Sequence, residues 1–247
     1  MLKQYGPPTA VFVALIAAWE LACRTLGVPA YIVPAPSRVA VALWQWRVPL
    51  FTQHLPVTLK EALAGLLISI VLGIALAVVM HASPLVDRAL YPLIVASQTI
   101  PTIAISPVFL FWFGYSVAQK VAVVVLISFF SVAVATRDGL RAADPDLLAW
   151  MQAAGASRWK RLTMAEIPAA LPAFFSGLKI AASVSVIGAV LGEWLGGSEG
   201  LGVFGRRAAN NLKSADLFAS VTLLALLGVL LFLLAALLER LALRHRR

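Results

Sequence analysis

Charge is scarce in this chain. Only 13% of its 247 residues are Asp, Glu, Lys or Arg, against 61% hydrophobic. Soluble domains carry about 25% charged residues, so a water-soluble globular fold is excluded. Cysteine is scarcer still: the lone Cys23 rules out an internal disulfide, and three scattered histidines offer no metal cluster. No G-x-x-x-x-G-K-[ST] run occurs, and no Lys-Ser or Lys-Thr closes the glycine-rich stretch 192–205, so the chain lacks a loop that cradles nucleotide phosphates. Neither a carboxylate pair nor a Ser/His/Asp set falls at a common depth, so no intrinsic catalysis is expected. The net charge of +9 does not point to nucleic acid, because the basic residues flank apolar runs and form no stripe.

What the chain has is long uncharged runs: Ala62–Met80, Ala89–Gln119, Val121–Thr136, Ile180–Gly192 and Leu217–Leu238. A bilayer core takes about 20 helical residues to cross. The pattern predicts an all-α polytopic membrane protein, a single transmembrane domain over 1–247 with six spans at about 9–27, 58–80, 89–113, 117–136, 172–192 and 216–238. Lys3 followed by an apolar run also fits a signal peptide, but no small-residue cleavage site follows, and Thr9–Gly27 is read as a retained helix. Within it Glu20 and Arg24 are four apart and can pair. With both termini cytoplasmic, twelve of the 20 Lys and Arg residues fall inside and eight outside, and the tail "LERLALRHRR" is the clearest local signal. Lys179, near the inner end of span five, is expected to snorkel toward water.

Two spans carry small residues at every fourth position, Gly65, Ser69, Gly73 and Ala77 in one and Gly177, Ala181, Ser185 and Ala189 in the other. Such stripes let backbones approach closely. They serve either packing within one subunit or a seam between two. Span three holds Pro92, Pro101 and Pro107, with Ser97, Gln98, Thr99, Thr102 and Ser106 around the breaks. Polar groups at membrane depth either line a watery path or satisfy a kinked helix locally. The glycines from Gly192 to Gly205 predict a tight loop folded back on the outer mouth.

One island is polar. Asp144 can cap a helix starting at Pro145, and Leu147, Leu148, Met151 and Ala154 give it an apolar stripe. Gly155 permits the turn that ends it. Ser157 can cap a second short helix with Trp159, Lys160 and Leu162, stopping before Pro168. The reading is two amphipathic helices with a glycine elbow in the cytoplasm over 144–168; a helix pair lying on the lipid surface is the other possibility by composition.

The stretch "GASRWKRLTMAEIPAALP" resembles the cytoplasmic signature loop of inner-membrane permease subunits of ATP-binding-cassette importers. The family's Glu-Ala-Ala opening falls here on Ala149, Trp150 and Met151, a departure from the pattern. "VPAPSRVAVALW", "SQTIPTIAISPVFLFWFG", "GLRAADPDLLAWMQAAGAS", "ALPAFFSGLKIA" and "GAVLGEWLGGSEGLG" are similar, in order, to the nitrate/sulfonate/taurine-type permeases. "SQTIP" and "GAVLGEWLGGSEGLG" look closest to the branch linked to thiamine-precursor pyrimidines, with Gln98 where other members have Arg.

The resemblance implies a type I importer permease fold in the bacterial inner membrane, forming the path for a small organic or anionic solute. The elbow would be the coupling helix, with Met151, Ala154, Gly155, Ala156, Ser157, Arg158, Trp159 and Pro168 meeting a separate ATPase that binds the ATP, so no cofactor is expected on this chain. An extracytoplasmic substrate-binding protein and a second permease copy are the other implied partners. Candidate pathway residues are Ser97, Gln98, Thr99, Thr102, Ser106, Ser185 and Glu193. The alternative, an ion-coupled secondary transporter, calls for inverted repeats or intramembrane carboxylates, and neither is evident in the sequence.

Lacking a phosphate loop, the purified chain alone is expected neither to bind nor to hydrolyse ATP. Contaminant-free turnover in a phosphate-release assay would overturn that expectation.

Overall fold

The computed structural model describes residues 2–27 and 29–244. His245, Arg246 and Arg247 of the basic tail lie outside the described residues, as does the side chain of Lys3. The order of elements is α1 (Leu2–Thr25), α2 (Pro36–Gln45), α3 (Arg47–Pro49), a π-turn (Leu50–His54), α4 (Leu55–Ala82), α5 (Pro84–Ser97), α6 (Thr102–Phe113), α7 (Val117–Arg141), α8 (Pro145–Ala153), α9 (Arg158–Arg161), a second π-turn (Leu162–Glu166), α10 (Ile167–Gly196), α11 (Leu201–Asn210) and α12 (Ser214–Ala242). The described residues contain no strand, so the chain is all-α as expected.

By length and composition, four stretches can cross a membrane: Arg47–Ala82, Val117–Arg141, Arg158–Gly196 and Ser214–Ala242. The bent pair α5 and α6 makes a fifth if it is one span. The span expected at 9–27 overlaps α1, which is not among these.

Three expectations are corrected. The third span is not one kinked helix; α5 and α6 meet at 99°. Of its three prolines only Pro101 sits at the break, where it lacks an N–H and holds Ile100 out of the helical region, while Pro92 and Pro107 lie inside their helices. The helix begun at Ser157 does not stop before Pro168. A π-turn over Leu162–Glu166 widens the ladder just ahead of the proline, which then takes an early position in α10, and Arg158–Gly196 runs on as one helix of 39 residues. The glycine-rich stretch is mostly helix as well. Only Gly200, with φ +122°, needs the left-handed region, while Gly202 and Gly205 are buried in α11.

The chain divides into two compact units. One comprises 1–57 and 198–225. Its cores are Val39 and Ala42 of α2 with Ala219 of α12, and Leu50 with Leu201 and Leu223. Trp19 packs on Phe218 at 5.7 Å between ring centres, and Trp46 on Phe204 at 5.6 Å. Buried polar groups find partners: Ser220 Oγ donates to the Leu201 carbonyl at 2.6 Å, and His54 Nδ1 accepts from Gly200 N at 3.2 Å. Glu20 and Arg24 pair as expected, with Nε to Oε1 at 2.7 Å, and Ser37 also donates to Glu20.

The other unit, 58–197 with 226–247, is organised around α7. Both small-residue stripes are buried, and their glycines face α7. A Cβ added at Gly73 would lie 2.8 Å from Val132 Cβ, and one at Gly192 would lie 2.8 Å from Lys120 Cα. At Gly177 it would meet the Ser131 carbonyl oxygen and Ala135 Cβ. Gly139 of α7 is pressed in turn against Ala170 of α10, 2.9 Å from where a Cβ would stand. Both stripes therefore serve packing within one chain. At the far end of α7, Arg137 forks onto Asp87 of α5, with Nη2 to Oδ2 at 2.8 Å, and lies 3.9 Å from the Tyr91 ring centre. Arg141 adds a bond to Asp87 at 3.0 Å. Lys179 is not merely snorkelling: its Nζ holds Glu239 Oε2 of α12 at 2.7 Å.

Gly177→Ala should therefore lower stability by about 1–3 kcal/mol, the usual cost of forcing a methyl into a packed contact. The same change at Gly228, whose added Cβ would have the Ser183 oxygen as its nearest neighbour at 3.9 Å, should be nearly neutral. Thermal unfolding in detergent checks the pair.

Candidate functional site

The polar island has the local geometry its residues predict. Asp144 Oδ1 accepts from Asp146 N at 2.9 Å and Leu147 N at 3.4 Å, capping α8. The helix closes on a left-handed glycine: Gly155 has φ +81°, its N–H bonds the Gln152 carbonyl at 3.0 Å, and Ala156 N bonds the Met151 carbonyl at 2.9 Å. Ser157 then caps α9 through Oγ, accepting from Lys160 N at 3.3 Å. Arg161 Nη1 reaches back to Gln152 Oε1 at 2.6 Å, fixing the two short helices to each other. Met151 and Ala156 are half-buried, while Ala154, Gly155, Ser157 and Arg158 are exposed. Trp150 and Trp159 are 71% and 72% exposed, an unusual amount of bare indole. Pro168 stands apart from this group at the start of α10.

The candidate pathway residues are spread over α5, the corner that follows it, α6 and α10. Ser97, Gln98 and Thr99 sit at the corner between α5 and α6, where Ser97 Oγ bonds the Ile94 carbonyl at 2.7 Å and Thr99 Oγ1 the Ala96 carbonyl at 2.8 Å. Gln98 is exposed, and Thr102 opens α6 half-buried. Ser106 and Ser185 are buried and spend their hydroxyls on their own helices, at 2.8 Å to the carbonyls of Thr102 and Ala182. These bonds satisfy the helices locally.

Glu193 leads to a cluster that reading along the chain missed. Its Oε1 accepts from Thr58 Oγ1 at 2.5 Å. One turn along α4, Glu61 holds Lys120 Nζ of α7 at 2.6 Å. Thr58 and Glu193 are fully buried, Glu61 and Lys120 nearly so, and α4, α7 and α10 each contribute. Gly192 makes this possible by letting the Lys120 backbone come against α10. Two carboxylates are thus buried within the long helices α4 and α10. The available signal was Glu61 and Lys120 interrupting otherwise apolar helices, each too costly to leave unpaired.

Comparison with known proteins agrees with this architecture. Residues 69–247 match the family model for the binding-protein-dependent transport system inner membrane component. A formylaminopyrimidine transport permease protein of Halalkalibacterium halodurans is 42% identical over 97% of this chain and 96% of its own length. A riboflavin transport system permease protein of Chloroflexus aurantiacus is 33% identical over 97% and 89%. The taurine transport system permease protein of Escherichia coli is 29% identical over 94% and 87%. Among solved structures, a chain of the MetNI methionine transporter superposes with a TM-score of 0.64 at 18% identity, covering 74% of this chain and 92% of its own, which supports the fold. The chain belongs to the binding-protein-dependent transport system inner membrane component family, as the permease of an ATP-binding-cassette importer.

Proposed function

We propose that residues 144–168 dock this permease onto a separate ATPase subunit in the cytoplasm. The observation that carries the reading is the elbow itself: two capped short helices, locked to each other by Arg161 and Gln152, that present Trp150 and Trp159 bare. An element built this rigidly with its largest apolar side chains uncovered suits insertion into a protein cleft. The lipid surface could take the two indoles as well, but it needs neither the left-handed glycine nor the fixed angle.

Family membership supports the rest of the proposed assembly. Both termini and the elbow lie in the cytoplasm, α1 supplies the sixth span, and a second copy of the chain completes the path through the inner membrane. An extracytoplasmic binding protein delivers the solute. The corner residues Ser97, Gln98, Thr99 and Thr102 border the path; Ser106, Ser185 and Glu193 shape its wall from behind. The 42% identity to a formylaminopyrimidine permease makes a small substituted pyrimidine the solute class to test first.

Cysteine labelling checks the topology. In a Cys23→Ala background, Ser157→Cys should react only with reagent admitted to the cytoplasm, and Ser198→Cys only with external reagent; labelling of both from one side overturns the orientation. Docking is checked at Gly155. Nothing lies within 4 Å of an added Cβ there, so the cost of a side chain is backbone strain of about 1 kcal/mol. Gly155→Glu should leave insertion normal, abolish ATPase association and stop uptake. Gly155→Asn, a residue that tolerates the left-handed region, should keep both, as should Arg244→Glu in the tail. Normal transport by Gly155→Glu with the ATPase bound overturns the docking role.

A further inference from the structure

Two polar contacts join the elbow to the inner end of α4, and chain connectivity requires neither. His81, in the last turn of α4, places Nε2 2.8 Å from Oε2 of Glu166 in the second π-turn. Both side chains are mostly buried, at 22% and 16% exposure. With Glu166 ionised, Nε2 carries the hydrogen and donates, whether or not the other ring nitrogen is protonated. Beside this pair, Arg158 Nη2 donates at 2.7 Å to the carbonyl of Ala82, the last residue of α4. That carbonyl has no partner in the helix, so the guanidinium also serves as its cap.

Apolar packing is interrupted beside these contacts. Between α4, the end of α7 and α9 lies a cavity of about 320 Å³, whose apolar lining includes Val78, Leu140, Trp159 and Leu162. Elsewhere α4 is seated by Gly65 and Gly73 on α7, and its last turns bury Ala77 and Met80. The polar ties from its inner end to the elbow are the His81–Glu166 and Arg158–Ala82 contacts.

We propose that His81, Glu166 and Arg158 form a brace that makes the inner end of α4 follow the elbow when the ATPase moves it. They are positioning residues for transport, and none of them needs to touch solute or nucleotide. The inference rests on the docking reading above. Without the brace, the elbow would swing about the cavity and α4 would be left behind.

The test uses the permease purified with its ATPase in a Cys23→Ala background. Nitroxide labels go on Asp146→Cys in α8 and Val79→Cys in α4, both exposed positions outside the brace. Distances are measured by pulsed electron spin resonance, with and without ATP trapped by vanadate. With the brace intact, one separation is expected in both states. His81→Ala should keep that separation at rest and gain, on trapping, a second population displaced by about 5 Å, the scale of a one-turn helix shift. His81→Gln, whose amide nitrogen still donates to Glu166, should restore the single population, as should the exchange His81→Glu with Glu166→His. A plain loss of packing would not be rescued by the exchange. A His81→Ala distribution that stays single on trapping, with the ATPase bound, overturns the brace and leaves docking standing. If the ATPase fails to associate with the unsubstituted chain, the docking reading falls and takes the brace with it.

Discussion

In a bilayer, two apolar helices gain nothing from hiding their side chains from water, since lipid is as apolar as leucine. They must attract by touching closely over a long contact. That constraint is met on α7, where backbone meets backbone at Gly65, Gly73, Gly177, Gly188 and Gly192. Each glycine removes a side chain that would otherwise keep the helices apart, and the valines Val124 and Val132 fill the grooves. The site depends on this seam: α10, which continues the elbow into the membrane, is held to α7 along the same row of contacts.

The seam also explains how a lysine and two glutamates survive inside. Close backbones leave little room for water, so a charged group there must meet its partner directly or be excluded. Lys120 meets Glu61 and Thr58 meets Glu193, across the three helices that the glycines draw together. The same logic acts at the other end of α7, where Asp87 collects Arg137 and Arg141. Charge is rare in this chain, and where it is buried it cross-links helices.

Features set by a few neighbouring residues were legible in the sequence. Asp144, Pro145, Gly155 and Ser157 lie close along the chain, and each acts through its own backbone, so the elbow could be read directly. The stripes were legible because helical periodicity puts every fourth residue on one face, although their common partner α7 was not named by the pattern. Long-range pairing was beyond reach: Glu61 and Lys120 are 59 positions apart, and nothing local announces that they meet. The three prolines of the third span look alike in sequence. Only Pro101 turns the chain, because Ser97 and Thr99 beside it take up the carbonyls that end α5. At Pro168 the opposite happened, since a π-turn absorbed the misfit that was expected to end the helix.

That π-turn has a mechanical consequence. With Pro168 accommodated, Arg158–Gly196 is one rod of 39 residues. At about 1.5 Å per residue it is roughly 58 Å long, more than the 40–45 Å of a bilayer with its headgroups. One end meets the elbow and the other carries Glu193, so a displacement at either end is carried along the helix. Tilting it by about 5° about the elbow end sweeps the Glu193 end through roughly 5 Å, close to a full helical turn. Had the helix broken at Pro168, the same tilt would have been spent in the hinge.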